Sequence, residues 1–173
     1  MVFAYADPPY PGCAKVHYRD DPSGIPAAEV DHAALIRELC GFEAWALSTH
    51  TPALRTLLPL CPDGTRVGAW VKPFASFKPN VRVAYAWEPV LFFGARKGTR
   101  QDITIRDWCA AMPPIFDRSN DDKTKGTKPG DFCVWLFNMM GLSQKDELVD
   151  LYPGSGAVTS AWRQWQEQGR LWW

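Results

Sequence analysis

The chain has no pair of cysteines at Cys-x-x-Cys spacing and contains few histidines. Its five cysteines and three histidines are scattered along 173 residues. An odd number of widely spaced cysteines argues against a disulfide framework, and the lack of clustered ligand residues argues against a zinc site. We therefore expect reduced thiols, no bound metal and a cytoplasmic location.

The chain also has no long apolar run and no excess of one charge. No stretch is long enough to span a membrane, and the first apolar residues lack the basic region of a signal peptide. Lysine plus arginine and aspartate plus glutamate number 19 each, so the overall charge indicates no polyanionic partner. The composition, with 46% hydrophobic residues and nine tryptophans, is typical of a single globular domain over residues 1–173.

The charges are nevertheless unevenly distributed. Residues 64–100 hold seven basic side chains against Glu88 alone, which gives this segment a net charge of +6. Aromatic residues alternate with the basic ones, and this combination can follow a phosphate backbone. On charge alone, however, a solvated loop with a few buried rings is the better interpretation.

The most informative motif follows the first apolar stretch. Residues 1–6 predict a buried strand, and Asp7-Pro8-Pro9-Tyr10 comes directly after it. Because proline has a fixed φ and no backbone N–H, two carbonyls here are left unpaired. Carboxylate and carbonyl oxygens can accept hydrogen bonds from an amino group, and the tyrosine ring can stack on the ring that carries it. The motif indicates a pocket for the exocyclic amine of a nucleobase, although a rigid strand exit explains these four residues equally well.

Strand and helix patterns alternate along the rest of the chain. This alternation predicts an α/β fold with a mainly parallel sheet and helices on both faces. Residues 94–127 are poor in pattern, and we expect a short, mobile insertion there. The strands are predicted at 1–6, 44–48, 67–71, 89–93 and 147–152, and the helices at 29–39, 51–60, 132–142 and between Gly156 and Gly169.

A second motif connects the last predicted strand to the last predicted helix. Asp150-x-Tyr152-x-Gly154-Ser155-Gly156 combines an acid at a strand end with a glycine turn. Glycine permits positive φ and a close backbone approach, and the following helix presents unpaired N–H groups. Phosphate and dinucleotide loops would need a lysine or a third glycine. The motif indicates a ligand-binding turn, while an ordinary tight turn stays open as an interpretation.

The two motifs, with three shorter matches in order between them, resemble amino-group DNA methyltransferases. The resemblance is to the permuted type, in which the catalytic motif precedes the motif for S-adenosylmethionine (SAM), and it covers almost the whole chain. It implies a minimal, circularly permuted, Rossmann-like methyltransferase sheet. In this family Asp-Pro-Pro-Tyr is typical of N6-adenine enzymes, whereas cytosine N4 enzymes more often begin the motif with serine. The shorter matches are Ala69-Trp70-Val71-Lys72-Pro73, Trp87-Glu88-Pro89-Val90-Leu91 and Thr127-Lys128-Pro129.

The resemblance implies methyl transfer from SAM to the N6 amine of adenine in DNA. Asp7-Pro8-Pro9-Tyr10 would be the catalytic motif. Asp7 and the Pro8 carbonyl would accept hydrogen bonds from the amine, and Tyr10 would stack on the base after it leaves the duplex. The residues implied for SAM are Asp150, Tyr152, Gly154, Ser155, Gly156, Thr127 and Lys128. The basic residues expected on DNA are Lys72, Lys78, Arg82, Arg96 and Lys97.

The chain departs from the family at the adenosine end of the cofactor. In the family, a further strand after the last helix ends in an acid that holds the ribose, whereas here the helix is followed by Leu171-Trp172-Trp173. We expect Trp172, Trp173 or a partner subunit, as in a homodimer, to complete this contact. Residues 94–127 are few for a target-recognition region, so we expect low or short sequence specificity, as would suit a phage or restriction–modification enzyme.

Two alternatives stay open. The first is a methyltransferase for RNA adenine or for cytosine N4, although mRNA-type adenosine enzymes usually carry tryptophan where Tyr10 stands. The second is a non-catalytic, degenerate methyltransferase fold that binds nucleic acid or a protein partner. The short cofactor half favours the second alternative, and the intact Asp7-Pro8-Pro9-Tyr10 motif opposes it.

Overall fold

A computed structural model describes residues 1–12, 29–74, 80–112 and 127–168 of the chain. The strands within them are β1 (Val2–Ala6), β2 (Ala44–Ser48), β3 (Arg66–Val71), β4 (Trp87–Phe93), β5 (Trp108–Ala110) and β6 (Glu147–Asp150). The helices are α1 (His32–Leu39), the short α2 (Leu54–Leu57), α3 (Gly130–Met140) and α4 (Ala157–Gln168). The strands form one sheet in the order β5-β3-β4-β2-β1-β6. None of the helices in these described ranges is long and apolar enough to cross a membrane.

The core lies on both sides of the sheet because alternate residues of a strand point to opposite faces. In β1, Phe3 and Tyr5 pack with α3 and α4 on one face. Ala4 and Ala6 pack with α1 and α2 on the other. We call these the α3 face and the α1 face. The expectation of helices on both faces is confirmed.

The sheet is mixed, which differs from the mainly parallel sheet that the alternation predicts. β1 is parallel to both β2 and β6, and β3 is parallel to β5. β4 is antiparallel to both β2 and β3. No helix is described between β3 and β4, and strands joined without a crossover pair in antiparallel fashion. β5 lies inside the segment 94–127, and its three residues are too short to show a strand period.

The predicted helix at 51–60 is broken into short pieces. A 3₁₀ turn, Thr51–Ala53, leads into α2, and a second 3₁₀ turn, Leu58–Leu60, follows it. Pro59 lies in the second turn and has no N–H to donate, so regular helical hydrogen bonding cannot continue through it. The strand predicted at 44–48 and the last helix are present with the predicted bounds, and the other predicted elements that fall on described residues are present with shifted ends.

Gly94 follows β4 directly and has a left-handed backbone with a φ of +73°. A Cβ at this position would lie 2.9 Å from the Cα of Ala44, which is backbone and cannot move aside. We therefore expect Gly94→Ala to lower the free energy of unfolding by about 1–3 kcal/mol or more. Gly98→Ala is the matched control, since the nearest atom to its Cβ would be 3.9 Å away. Equal urea midpoints for the two variants would contradict this expectation.

The amino-terminal ends of β1 and β6 meet at the buried carboxylate of Asp146. It accepts hydrogen bonds from the Arg96 guanidinium at 2.8 and 3.0 Å and from the Ser143 N–H at 2.6 Å. Burial would raise the pKa of Asp146, but hydrogen bonds from the Met1 ammonium group, Ser143 and Arg96 outweigh it and hold the pKa well below its usual range. Arg96 also donates to the Gly141 carbonyl at 2.9 Å. It is thus a structural residue at this edge of the sheet.

Candidate active site

The opposite edge of the sheet gathers the residues of both sequence motifs. The parallel strands β1, β2 and β6 end there, β1 leading into Asp7 and β6 ending at Asp150. β4 runs the other way, so it begins at this edge with Glu88 as its second residue. Tyr5 of β1 pairs with Asp150 of β6, and Asp7 follows the end of β1, so the two acids lie at the ends of adjacent strands, which are spaced about 4.8 Å apart.

Asp7 is partly buried and forms an ion pair with Lys128. Its Oδ2 atom lies 2.8 Å from Lys128 Nζ, and the Lys128 side chain is only 5% exposed. Pro8 and Pro9 are both buried, and their rings fix the backbone that follows Asp7. The carboxylate is thus held by a charge and by a rigid chain. A carboxylate offers about four acceptor sites, so Asp7 can take further hydrogen bonds from a ligand.

Glu88 and Lys72 extend this pair into a group of alternating charge. Lys128 Nζ is 3.6 Å from Glu88 Oε2, and Lys72 forms a close ion pair with Glu88 Oε1. We call Asp7, Lys128, Glu88 and Lys72 the ion-pair cluster. The Trp70 ring centroid lies 4.7 Å from Lys72 Nζ and 5.3 Å from Lys128 Nζ. These cation–π contacts replace part of the hydration that the ammonium groups lose on burial.

The ion-pair cluster gives its two carboxylates different acidities. Burial raises the pKa of Asp7 above its ordinary value, and the charge of Lys128 opposes this only in part. Burial acts in the same direction on Glu88, but the charges of Lys128 and Lys72 outweigh it and lower the pKa of Glu88. Two carboxylates with diverging pKa values are typical of a site that divides roles between them. Glu88 therefore stays ionised, whereas Asp7 binds a proton at a higher pH than Glu88 does.

Tyr10 presents an aromatic ring in a fixed orientation. Its hydroxyl donates a hydrogen bond to Glu88 Oε2 at 2.9 Å. Its ring centroid lies 5.2 Å from that of His50, with the planes tilted by 44°. Burial, reinforced by the charges of Asp7 and Glu88, raises the pKa of Tyr10 well above its ordinary value, so the phenol stays a neutral donor.

His50 follows β2 at the same edge, and the sequence analysis assigned it no role. Its Nδ1 atom is buried and has no hydrogen-bond partner in the part of the chain that the structure describes. Burial lowers the pKa of His50, although the charge of Glu88 acts against it. The imidazole is therefore neutral near pH 7 and can offer one unpaired ring nitrogen to a ligand.

Asp150 has one satisfied and one unsatisfied oxygen. Its Oδ2 accepts a hydrogen bond from Thr159 Oγ1 at 2.9 Å, while its buried Oδ1 has no donor among the described residues. Burial raises the pKa of Asp150, hydrogen bonds from the Thr159 hydroxyl and the Tyr152 N–H act against this, and the charge of Asp7 adds to the rise. A buried acceptor without a donor is costly. A ligand with an N–H or ammonium group would remove that cost.

The glycine turn after Asp150 has the backbone that the motif predicts. Gly154 and Gly156 both have positive φ, +48° and +72°. The Gly156 N–H donates to the Pro153 carbonyl at 2.6 Å, and α4 begins at the next residue. A side chain at Gly156 would meet nothing within 4 Å. The turn therefore needs glycine for its backbone conformation, and it leaves open space beside it.

Among the described residues that are predicted to contact nucleic acid, Lys72 and Arg96 lie at opposite edges of the sheet. Lys72 lies in the ion-pair cluster, and Arg96 lies at the other edge with Lys97 next to it, exposed. Arg82 is exposed. Lys78 lies outside the described residues, as do Trp172 and Trp173. Within residues 1–12, 29–74, 80–112 and 127–168, no group of His, Cys, Asp or Glu is placed to hold a metal ion.

Sequence reasoning identified the ends of the site but not its middle. Glu88 was matched in a family motif without a role and Lys72 was expected on DNA, because nothing local shows that β4 begins where β1 ends. Lys128 was expected beside SAM, whereas its ammonium group contacts Asp7. His50 is an isolated histidine, and only the pairing of β2 with β1 brings it to the same edge as Tyr10.

Comparison with known proteins supports the fold and little else. No family model matches the chain, and no curated protein matches it. Among solved structures, the fold is similar to that in the crystal structure of the M1.HpyAVI–SAM complex, with a TM-score of 0.63 over 96% of this chain and 78% of that chain. The two sequences are 14% identical, so the likeness concerns the fold. The chain thus has a mixed, six-stranded α/β fold similar to that of a protein crystallised in complex with SAM.

Proposed function

We propose that the protein transfers a methyl group from SAM to the N6 amine of adenine in DNA. One observation carries the proposal: two acids of different character lie at one sheet edge. Asp7 is charge-balanced by Lys128 and suits a neutral amine. Asp150 has a buried oxygen without a donor and suits a cation. The similar fold of a protein solved in complex with SAM supports the choice of cofactor, and the order of the two motifs supports a permuted arrangement.

The proposed role of Asp7 is to hold and activate the amine. Its carboxylate and the Pro8 carbonyl would each accept one N–H, which draws the nitrogen lone pair away from conjugation with the ring. Because burial raises the pKa of Asp7, this carboxylate can also take the proton that the amine loses. Lys128, which also pairs with Glu88, keeps the carboxylate in position, so most of the catalysis would be orientation of the reacting groups.

The residues present fit SAM at its methionine end. Asp150 Oδ1 would accept from the ammonium group, and the turn at Gly154, Ser155 and Gly156 would allow close approach of the carboxylate. Tyr152 and Thr127 would line the same end. When bound, SAM supplies an electrophilic methyl group, which joins the amine nitrogen as its bond to sulfur breaks and leaves the electron pair on sulfur.

Tyr10 and His50 would form the wall for the target base. The Tyr10 ring is fixed by its bond to Glu88, so it can stack on an extruded adenine without losing further side-chain freedom. Such stacking contributes about 1–3 kcal/mol per base. The unpaired Nδ1 of His50 lies beside this ring and would hydrogen-bond the base edge.

The test is to identify the methylated nucleoside directly. The protein is incubated with isotope-labelled SAM and unmethylated DNA, and the digested nucleosides are analysed by mass spectrometry. We expect labelled N6-methyldeoxyadenosine. Labelled N4-methyldeoxycytidine, or product formed only on RNA, would replace the proposed substrate. If no methylated nucleoside forms on DNA or RNA at saturating SAM, the proposal that the protein is a nucleic-acid methyltransferase is wrong.

Asp150→Asn should weaken SAM binding about 10- to 100-fold, since hydrogen bonds between charged groups contribute about 1.5–3 kcal/mol. The amide keeps the shape of the side chain and can still bond to Thr159, but it cannot attract the ammonium charge. Calorimetric titration with SAM measures the change. Asp63→Asn is the matched control because Asp63 is exposed. Equal affinities for the two variants would remove Asp150 from the cofactor site.

A further inference from the structure

Part of the α1 face of the sheet has no described helix packed on it. α1 and α2 cover β1, β2 and the centre of β4 through Leu91. On the part of this face that α1 and α2 leave uncovered, the side chains of Val67, Trp87 and Trp108 are 36–43% exposed. Val71 pairs with Trp87, and Ala69 pairs with Trp108, so these side chains share one face. We call Val67, Ala69, Val71, Trp87 and Trp108 the open face, which lines a depression of about 540 Å³.

The open face begins at the edge of the sheet where β1 ends and β4 begins, and strands of the sheet hold its residues in place. Trp87 is the residue before Glu88, whose carboxylate holds Tyr10. Trp108 lies on β5, next to a backbone bond in which the Ala69 N–H donates to the Asp107 carbonyl at 2.9 Å. The Trp135 indole donates to the Arg106 carbonyl, also at 2.9 Å. Both tryptophans of the open face are therefore presented by strands of the sheet.

Positive charge and exposed aromatic rings are both concentrated in the segment of the sequence that forms the open face, although Arg96 of this segment lies at the opposite edge of the sheet. Residues 64–112 hold eight basic and three acidic side chains, a net charge of +5 in a chain whose total is zero. The exposed aromatic residues of the described ranges also lie there: Phe74, Tyr85, Trp87 and Trp108. The Arg106 guanidinium lies 5.3 Å from the centroid of the Trp108 ring. Exposed rings with arginine beside them are typical of surfaces that bind single-stranded nucleic acid.

We propose that the open face binds unpaired nucleotides that flank the target base, stacking them on Trp87 and Trp108. A duplex hides the faces of its bases, whereas an unpaired strand can place them on indole rings. The inference rests on the proposed function in naming the substrate, and it makes single-stranded or locally opened DNA the preferred form.

The test compares the affinities of a labelled oligothymidylate and of a duplex of the same length at one salt concentration. Trp108→Ala should weaken binding of the single strand about 5- to 100-fold. Duplex affinity should change by less than about twofold, because its base faces are hidden. Trp108→Phe keeps an aromatic ring and should restore most of the affinity. Leu60→Ala is the control, since Leu60 is equally exposed at 43% and lies outside the open face.

Several outcomes overturn the inference. The first is an unchanged single-strand affinity in both Trp108→Ala and Trp87→Ala. The second is a dimer that becomes monomeric in Trp108→Ala by sedimentation while strand affinity stays the same, which would make the open face a self-association surface. Methylation of an adenine-containing single strand separates the two proposals. A protein that binds single strands through Trp108 but methylates none of them contradicts only the proposed function. A Trp108→Ala variant that is active, with an unchanged KM for the single strand, contradicts only the binding role of the open face.

Discussion

Asp7→Ala should reduce kcat for methyl transfer by at least about a thousandfold, because it removes both the acceptor that orients the amine and the group that takes its proton. SAM affinity should stay within about threefold of the parent, since a short truncation at β1 leaves Asp150 and the glycine turn in place. Single-turnover transfer to an adenine-containing DNA and calorimetric titration with SAM measure the two quantities separately.

Two further variants sharpen this result. Asp7→Asn keeps one acceptor oxygen but cannot take a proton, so it should retain more activity than Asp7→Ala if orientation is the main contribution. Asp63→Ala removes an exposed acid elsewhere and should leave transfer unchanged. If Asp7→Ala transfers methyl groups at a rate near that of the parent, Asp7 is not catalytic, and the motif is only a rigid strand exit.

Lys128→Met should lower activity and stability together. The substitution leaves Asp7 and Glu88 in a partly buried site with Lys72 as the remaining cation of the ion-pair cluster. Removal of one partner from a buried ion pair costs about 3–5 kcal/mol, because the other charge stays desolvated. We expect a lower free energy of unfolding at pH 7 in urea titration. Lys145→Met, at an exposed lysine, is the matched control.

The pH dependence of Lys128→Met gives the clearest readout. Burial already raises the pKa of Asp7, and loss of the Lys128 charge raises it further. The acid limb of kcat against pH should therefore move to higher pH, by about one to three pH units. The stability of the variant should fall as pH rises, because the folded state then binds the Asp7 proton more tightly than the unfolded state.

Lys128→Arg separates charge from packing. It retains the positive charge, so the acid limb should stay close to that of the parent even if the longer guanidinium lowers the rate. If Lys128→Met has the same dependence of kcat on pH as the parent, Lys128 does not control the pKa of Asp7. Its expected place beside SAM would then be the better assignment, and its effect would appear in SAM affinity.

The two motifs of the candidate site could be predicted from the sequence because each is a short, local stretch of the chain. Asp7-Pro8-Pro9-Tyr10 and the turn from Asp150 to Gly156 combine residue types whose chemistry is local: acceptors without donors, and glycines at positive φ. Most strands were also predictable from short apolar runs, since burial on both faces leaves little polar alternation. What these patterns cannot give is the direction of a strand within the sheet.

That direction accounts for what sequence reasoning missed. Glu88 reaches Tyr10 because β4 runs antiparallel to β2 and so begins at the edge where β1 ends. With a parallel β4, Glu88 would lie at the edge occupied by Arg96. The contact between Lys128 and Asp7 likewise depends on where α3 begins relative to β1, which no local pattern records. β5 escaped prediction because three residues cannot establish a period.

The position of β1 between β2 and β6 has a consequence for how the molecule is made. β1 is synthesised before the other described strands, yet its neighbour β6 and the Lys128 that pairs with Asp7 lie far along the chain from it. Contacts that join such distant residues form slowly, because closing the long loop between them costs entropy before the contacts can stabilise the fold. The Asp7 carboxylate therefore acquires its final environment only after Lys128 and β6 have been synthesised. Nascent chains should need protection from aggregation until then, and recovered activity should be the latest signal in refolding.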